Sequence, residues 1–105
     1  MSPNNIFYNL PDAKKNEIFE EIVSNEKILV ERITSLGQKS PADFWFDQGK
    51  DELVFLLSGE AEISFENGTK TRLVPGDYLL IPAHKKHRVE WTDEHRETIW
   101  LAIHY

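Results

Sequence analysis

The sequence predicts an all-β fold, an antiparallel β-barrel or sandwich preceded by one short N-terminal helix. Three observations predict it. After Lys27 the chain breaks into about eight short runs rich in β-branched and aromatic residues, each bounded by Gly, Pro, Asn or Asp. Segment 61–66 alternates strictly, with Ala61, Ile63 and Phe65 on one face and Glu62, Ser64 and Glu66 on the other. The pair Asn67-Gly68 tolerates the positive φ of a type I′ turn and marks a hairpin.

The elements follow in order. In residues 10–24, Pro11 stands near the start and Ile18, Phe19, Ile22 and Val23 recur at helical spacing, which predicts a helix packing that stripe onto a sheet. Residues 1–25 are thus an N-terminal helical segment and 26–105 the barrel. Ile28 to Ser35 is β-branched and predicts a strand; 37–41 is a loop; Phe44-Trp45-Phe46 is a short apolar strand. Leu53 to Leu57 is apolar at every position. Thr69 to Val74 returns from the hairpin, and Pro75-Gly76-Asp77 turns the chain into Tyr78 to Ile81. His87 to Trp91 and Thr98 to His104 complete the set. A strand apolar on both faces needs both covered. For Leu53–Leu57 and Ile99–Ile103 one cover is the barrel interior and the other is a helix, a sheet or a second subunit, so a homodimer is expected.

Composition narrows the partners. The chain has 105 residues, enough for one domain with its own core. It has no cysteine, which excludes disulfides and thiolate metal sites. Twelve basic against 18 acidic residues give a net charge of −6, with no basic stripe, so nucleic acid is not expected as a partner. No apolar run approaches the ~20 residues of a membrane span. The start, Met1 to Asn5, lacks the charged and apolar regions of a signal peptide, and a cytoplasmic location is expected. There is no Gly-x-Ser-x-Gly turn and no phosphate-binding glycine loop.

Strand parity selects the candidate site. On 87–91, His87, Val89 and Trp91 share the apolar, inward face, while Arg88 and Glu90 face out. Alone, such a His reads first as a core residue with a hydrogen-bonded ring. Glu52 shares a face with Val54 and Leu56, so its carboxylate also points inward, where it needs a partner, a proton or a metal. Gln48 alternates with Phe46 and Phe44, which favours an inward amide; Asp47 takes the opposite parity with Trp45. His84 and His87 are three apart, and residues three apart on an extended chain face opposite sides, so His84 reads as a loop residue beside Lys85 and Lys86. A loop turning both rings together would instead give a two-His-one-carboxylate set with Glu52. Phe46 and Trp91 are expected to wall the interior as core or pocket. His104 either reaches the barrel mouth or simply ends the last strand, and His95 reads as a solvated loop residue.

Two segments carry a family resemblance. Glu52 and Gly59, with six residues between them, match the end of the first sequence motif of the cupin superfamily; Gly76, Pro82 and His87 match the second. The chain therefore resembles a small single-domain cupin. The resemblance implies a cupin-type jelly roll, an all-β antiparallel barrel. In that family a metal is typically held by a His-x-His pair, the glutamate and the second-motif histidine. Here the His-x-His slot falls on Phe46-Asp47-Gln48, or on Trp45-Phe46-Asp47, and holds no histidine. His84 replaces the motif's glycine, a position where positive φ is common and His is tolerated, and Trp91 replaces its asparagine. The resemblance thus implies a reduced metal set of Gln48, Glu52 and His87, with Asp47 and His84 as additional candidates. The metal would be divalent: iron, manganese, nickel or zinc.

The expected function is a barrel that binds a divalent metal, a small polar ligand, or both, in its interior. The alternative is a metal-free module holding a sugar-like ligand, as a binding or regulatory protein. The resemblance leaves open whether it is an enzyme, because cupins span many activities; acid–base catalysis through His87 has no oriented partner that sequence can name.

Overall fold

A computed structural model describes residues 1–105. The chain forms eight strands: β1 (Ile18–Ser24), β2 (Leu29–Ser35), β3 (Glu52–Ser58), β4 (Ala61–Phe65), β5 (Lys70–Leu73), β6 (Tyr78–Ile81), β7 (His87–Thr92) and β8 (Thr98–His104). They build a five-stranded sheet, β1-β2-β8-β3-β6, and a three-stranded sheet, β5-β4-β7. Every pairing is antiparallel. The sheets face each other as a jelly-roll barrel, and the fold class matches the expectation. No helix is present that is long and apolar enough to cross a membrane.

The N-terminal helix is not formed. Residues 18–24 are instead the edge strand β1, paired with β2 from Ile18↔Thr34 to Ser24↔Leu29. The physical reason is a bulge. The register jumps between Glu21↔Glu31 and Val23↔Val30, which leaves Ile22 over. An extra residue inverts the alternation beyond it, so an apolar pattern that looks helical divides between two sheet faces. Phe19 sits opposite Ile33 on the inner face, and Val23 sits opposite the outward Val30. Pairing β1 along β2 also supplies the ladder bonds that a packed helix would have left open.

Two smaller expectations are corrected. Phe44-Trp45-Phe46 makes only a single bridge, Phe46↔His87; Asp43 enters it at φ 62°, outside extended geometry. The hairpin at Asn67-Gly68 stands, but only Gly68 has positive φ (91°). Phe65 N–H donates to Thr69 O and Gly68 N–H to Phe65 O, at 2.9 Å each. This is a three-residue loop closed by a left-handed glycine rather than a type I′ turn.

The core lies between the sheets and is formed by Ile33, Val54, Leu56, Ala61, Ile63, Leu73, Ile81, Trp100 and Ala102. Gly59, the glycine of the first motif, has a concrete role in closing it. Its φ is 85°, and a Cβ there would lie 2.6 Å from Thr98 Cα and 2.8 Å from Glu97 O. The β3–β4 turn can pass over β8 only without a side chain.

Candidate functional site

The barrel interior holds a cavity of about 540 Å³. Its walls are largely apolar, with Ile33, Val54, Ile63, Ile81, Val89 and Trp100 among them. Most of its polar groups gather at one end, where strands from both sheets meet a loop.

β3 places Glu52 and β7 places His87, each with its inward neighbours Val54 and Val89. They are 8% and 6% exposed. The loop 46–49 brings the third group. Phe46 is bonded to His87 through the backbone (N–H to O 2.7 Å, and 3.2 Å in return). This bridge lays the Phe46 ring on the imidazole, with centroids 5.5 Å apart and planes at 23°. One alternation later, Gln48 points inward. Its Nε2 donates to Glu52 Oε1 at 2.9 Å and stands 3.5 Å from His87 Nε2. His87 Nε2 is 3.6 Å from Glu52 Oε1, a charge contact longer than a hydrogen bond. On the other side of the ring Nδ1–H donates to Lys85 O at 2.9 Å, which leaves Nε2 as the nitrogen aimed into the cavity. Three polar atoms from three chain segments thus converge within 3.6 Å of one another.

The electrostatics follow from this contact. Burial presses the Glu52 carboxyl upward, but attraction to His87, the Gln48 amide and the charge of His104 outweigh it, and its pKa ends below the ordinary value. Burial presses His87 downward, but attraction to Glu52 and the Lys85 carbonyl outweigh that, and it ends above its ordinary value. Each partner favours the charged form of the other.

Asp47 and His84 take the opposite parity to Gln48 and face out. His84 Nδ1 meets Asp47 Oδ1 at 2.8 Å on the surface, and neither lines the cavity. His84 has φ 66°, the backbone geometry expected where the family motif has glycine. Its N–H donates to Gln48 O at 2.8 Å, so this outer latch helps seat Gln48. Phe46 walls the cavity, but Trp91 does not. The β4–β7 register runs Ile63↔Val89 and then Glu62↔Trp91. Glu90 is bulged out, the parity inverts, and Trp91 lies on the outer face with the Arg72 guanidinium 4.1 Å from its ring centroid. That is the correction to the shared face expected for His87, Val89 and Trp91.

Sequence reasoning missed Glu31 and Glu17 in the polar lining, and of the two readings of His104 the structure has the one that reaches the cavity. Glu31 on β2 and His104 on β8 meet at 3.2 Å within the cavity, and His104 sits directly opposite Glu52 in the β3–β8 register. Alternation with Leu29 and Ile33 would have turned Glu31 inward; its meeting with His104 depended on register, which the sequence does not display. Glu17, which also lines the cavity, lay in the segment read as helix.

A jelly-roll barrel with an apolar interior cavity and a convergent polar end defines a class of small-molecule-binding β-barrels. The model of the family described as cupin domain matches residues 36–104, and the chain belongs to that family. Among solved structures it is similar to a candidate mannose-6-phosphate isomerase from Ralstonia eutropha JMP134, with 41% identity, TM-score 0.93, and 99% of this chain and 97% of that one covered. It is also similar in fold to a cupin superfamily protein from Desulfitobacterium hafniense DCB-2 (23% identity, TM-score 0.76, 90% and 82% covered). A third neighbour in fold is the cobalt(II) form of HppE in complex with Tris buffer (16% identity, TM-score 0.72, 85% and 53% covered). No curated protein matches the sequence.

Proposed function

We propose that the protein is a small-molecule-binding cupin whose ligand occupies the barrel cavity, with its polar part at Gln48, Glu52 and His87. The observation that carries this reading is the convergence of those three side chains at one end of a largely apolar, 540 Å³ space. Apolar walls with a few convergent polar groups are the usual make-up of a small-ligand site. The test is ligand-induced stabilisation across a panel of small polar compounds, measured on the parent and on Glu52→Gln and His87→Ala. Ligands of this site stabilise the parent and lose most of the effect in both variants. Stabilisation that survives unchanged in both would sink the reading.

A divalent metal is the second reading, and one observation favours it. His87 has Nδ1 anchored on a carbonyl and Nε2 presented to the cavity, which is how metal-binding imidazoles are usually held. The donor set is thin: no group of three or more His, Cys, Asp or Glu side chains is placed to hold a metal ion. A metal therefore fits only with Glu52, His87 and the amide oxygen of Gln48, once that amide is turned over. When bound, it would act as a Lewis acid on a ligand oxygen. Elemental analysis of untagged protein after incubation with iron, manganese, nickel and zinc tests this reading. Metal near one per chain, lost in His87→Ala, supports it; none in either protein rejects it.

The same reading includes a cytoplasmic homodimer. Leu53, Phe55, Leu101 and Ile103 are only half-covered on the outer face of the five-stranded sheet, and Tyr78 and Leu80 beside them are exposed. A second copy is the cover that the doubly apolar strands call for.

A further inference from the structure

Three carboxylates line the cavity: Glu17, Glu31 and Glu52. Glu52 has His87 at 3.6 Å and Glu31 has His104 at 3.2 Å. Glu17 has no cationic partner. Its Oε2 accepts a hydrogen bond from the Ser35 hydroxyl, and Ser35 Oγ accepts one from Trp100 Nε1–H at 3.1 Å. Ser35 and Trp100 are 0% and 3% exposed. An indole N–H can only donate, so it takes one lone pair of Ser35 Oγ and leaves the hydroxyl hydrogen for the Glu17 carboxylate when that group is ionised. One carboxyl oxygen is thereby held as an acceptor and the rest of the group is presented to the cavity.

This group stands apart from the Gln48–Glu52–His87 end. Glu52 is level with His104, and His104 with Leu29 on β2, whereas Glu17 reaches Ser35 at the far end of that strand. Leu29 and Ser35 are separated by roughly 20 Å of strand. The apolar wall lies between.

We infer that Glu17 is a second anchor within the cavity, and that it pairs with a protonated amine on the ligand. This rests on the cavity being the ligand site, and it adds the ligand's charge. Of the basic groups of the lining, the two imidazoles contact carboxylates, and Lys50 lies at the Glu52 end, its ammonium on Lys27 O at 3.1 Å, away from Glu17. No arginine lines the cavity. Arg32, the arginine on β2, faces outward and is committed to Glu20 and to the carbonyls of Ile6, Tyr8 and Asn9. A phosphate placed beside Glu17 would meet a carboxylate with no cationic partner, whereas an ammonium there would meet an unpaired carboxylate held in place. Although the Ralstonia protein at 41% identity is a candidate mannose-6-phosphate isomerase, the unpaired carboxylate of Glu17 favours an amine over a phosphate at this end of the cavity.

Trp100 supplies the test. Its indole N–H is one link from Glu17, while Trp45 and Trp91 lie near Arg88 and Arg72. The three indole signals in an 15N-resolved NMR spectrum can be assigned with Trp100→Phe. The probes are 4-amino-1-butanol, 1,4-butanediol of the same length, and mannose 6-phosphate. The amine is expected to move the Trp100 indole signal at a concentration at least about tenfold below that of the diol, and Glu17→Gln is expected to erase that preference. An equal response to amine and diol, a preference surviving in Glu17→Gln, or tighter binding of mannose 6-phosphate than of the amine would each overturn the inference. In those cases a moving Trp100 indole or His87 ring signal would still leave the cavity as the ligand site. If no probe moves either signal, and the polar panel fails as well, the cavity reading falls with it.

Discussion

His87 Nε2 and Glu52 Oε1 stand 3.6 Å apart in the barrel interior, and they come from different sheets. Their attraction therefore links β7 of the three-stranded sheet to β3 of the five-stranded one. Because each also biases the other's protonation, the link depends on pH in a way that can be worked out.

Glu52 has a folded pKa below its ordinary 4.5, so its contribution is present above about pH 4.5 and is lost as pH falls through the folded value. His87 has a folded pKa above its ordinary 6.5, so its contribution is present below about pH 6.5 and is lost as pH rises through the folded value. The two overlap fully between about pH 4.5 and 6.5. Replacing Glu52 by Gln should lower stability most within that window, by roughly 3 kcal/mol, the usual cost of breaking a buried pair. Chemical denaturation of parent and variant from pH 4 to 8 checks this. A difference that stays flat across the range would show that the pair carries no charge coupling.

Glu17 has the opposite sign. Burial raises its pKa and the Ser35 hydroxyl only partly opposes that. A raised carboxyl is most stabilising when protonated, below about pH 4.5, and loses that contribution as pH rises through the folded value. Glu17→Gln keeps the shape and removes the charge. It should therefore be more stable than the parent at pH 7, with the advantage shrinking toward pH 4. A variant less stable than the parent at pH 7 would mean that the ionised carboxylate is already satisfied without a ligand.

The parts of this protein that the sequence made legible share one property: they depend on local chemistry. Glycine, proline and the 2-residue period located seven of the eight strands within about two residues. Parity turned Glu52, His87 and Gln48 inward and Asp47 outward, as found. The errors share a cause as well. A bulge at Ile22 and another at Glu90 each invert the alternation. Neither residue is a glycine, so neither bulge leaves a mark in the sequence. The first made a strand look helical and hid Glu17; the second placed Trp91 inside. The Glu31–His104 contact joins residues far apart in sequence and needed the β2–β8 register, which comes from the assembled sheet.

The motif glycines separate by what surrounds them. Gly59 and Gly76 both have positive φ, 85° and 97°. A Cβ at Gly59 would overlap Thr98 and Glu97, whereas one at Gly76 would meet nothing within 4 Å. Gly76→Ala should cost only the backbone strain, about 1 to 2 kcal/mol. Gly59→Ala adds a displacement of β8 and should cost at least about 3 kcal/mol. Denaturant midpoints of the two variants give the comparison directly. Equal losses would mean that the β3–β4 turn can move away from β8.

The outer face of the five-stranded sheet makes the last prediction. Leu80 and Tyr78, on edge strand β6, are 62% and 59% exposed. Tyr78 leans on Phe55 of β3, with ring centroids 5.3 Å apart, so the two strands present one continuous apolar surface. An edge strand carrying exposed apolar side chains favours association. A dimer burying about 800 Å² per partner needs a patch of that kind at its centre. Light scattering at micromolar concentration should give the mass of two chains for the parent. Leu80→Lys places a charge in the middle of the patch and should shift the mass to one chain without changing the far-ultraviolet circular dichroism. The same charge at Thr69, on the hairpin of the other sheet, should leave the dimer intact. A parent that elutes and scatters as a single chain would remove the second copy as the cover for this face.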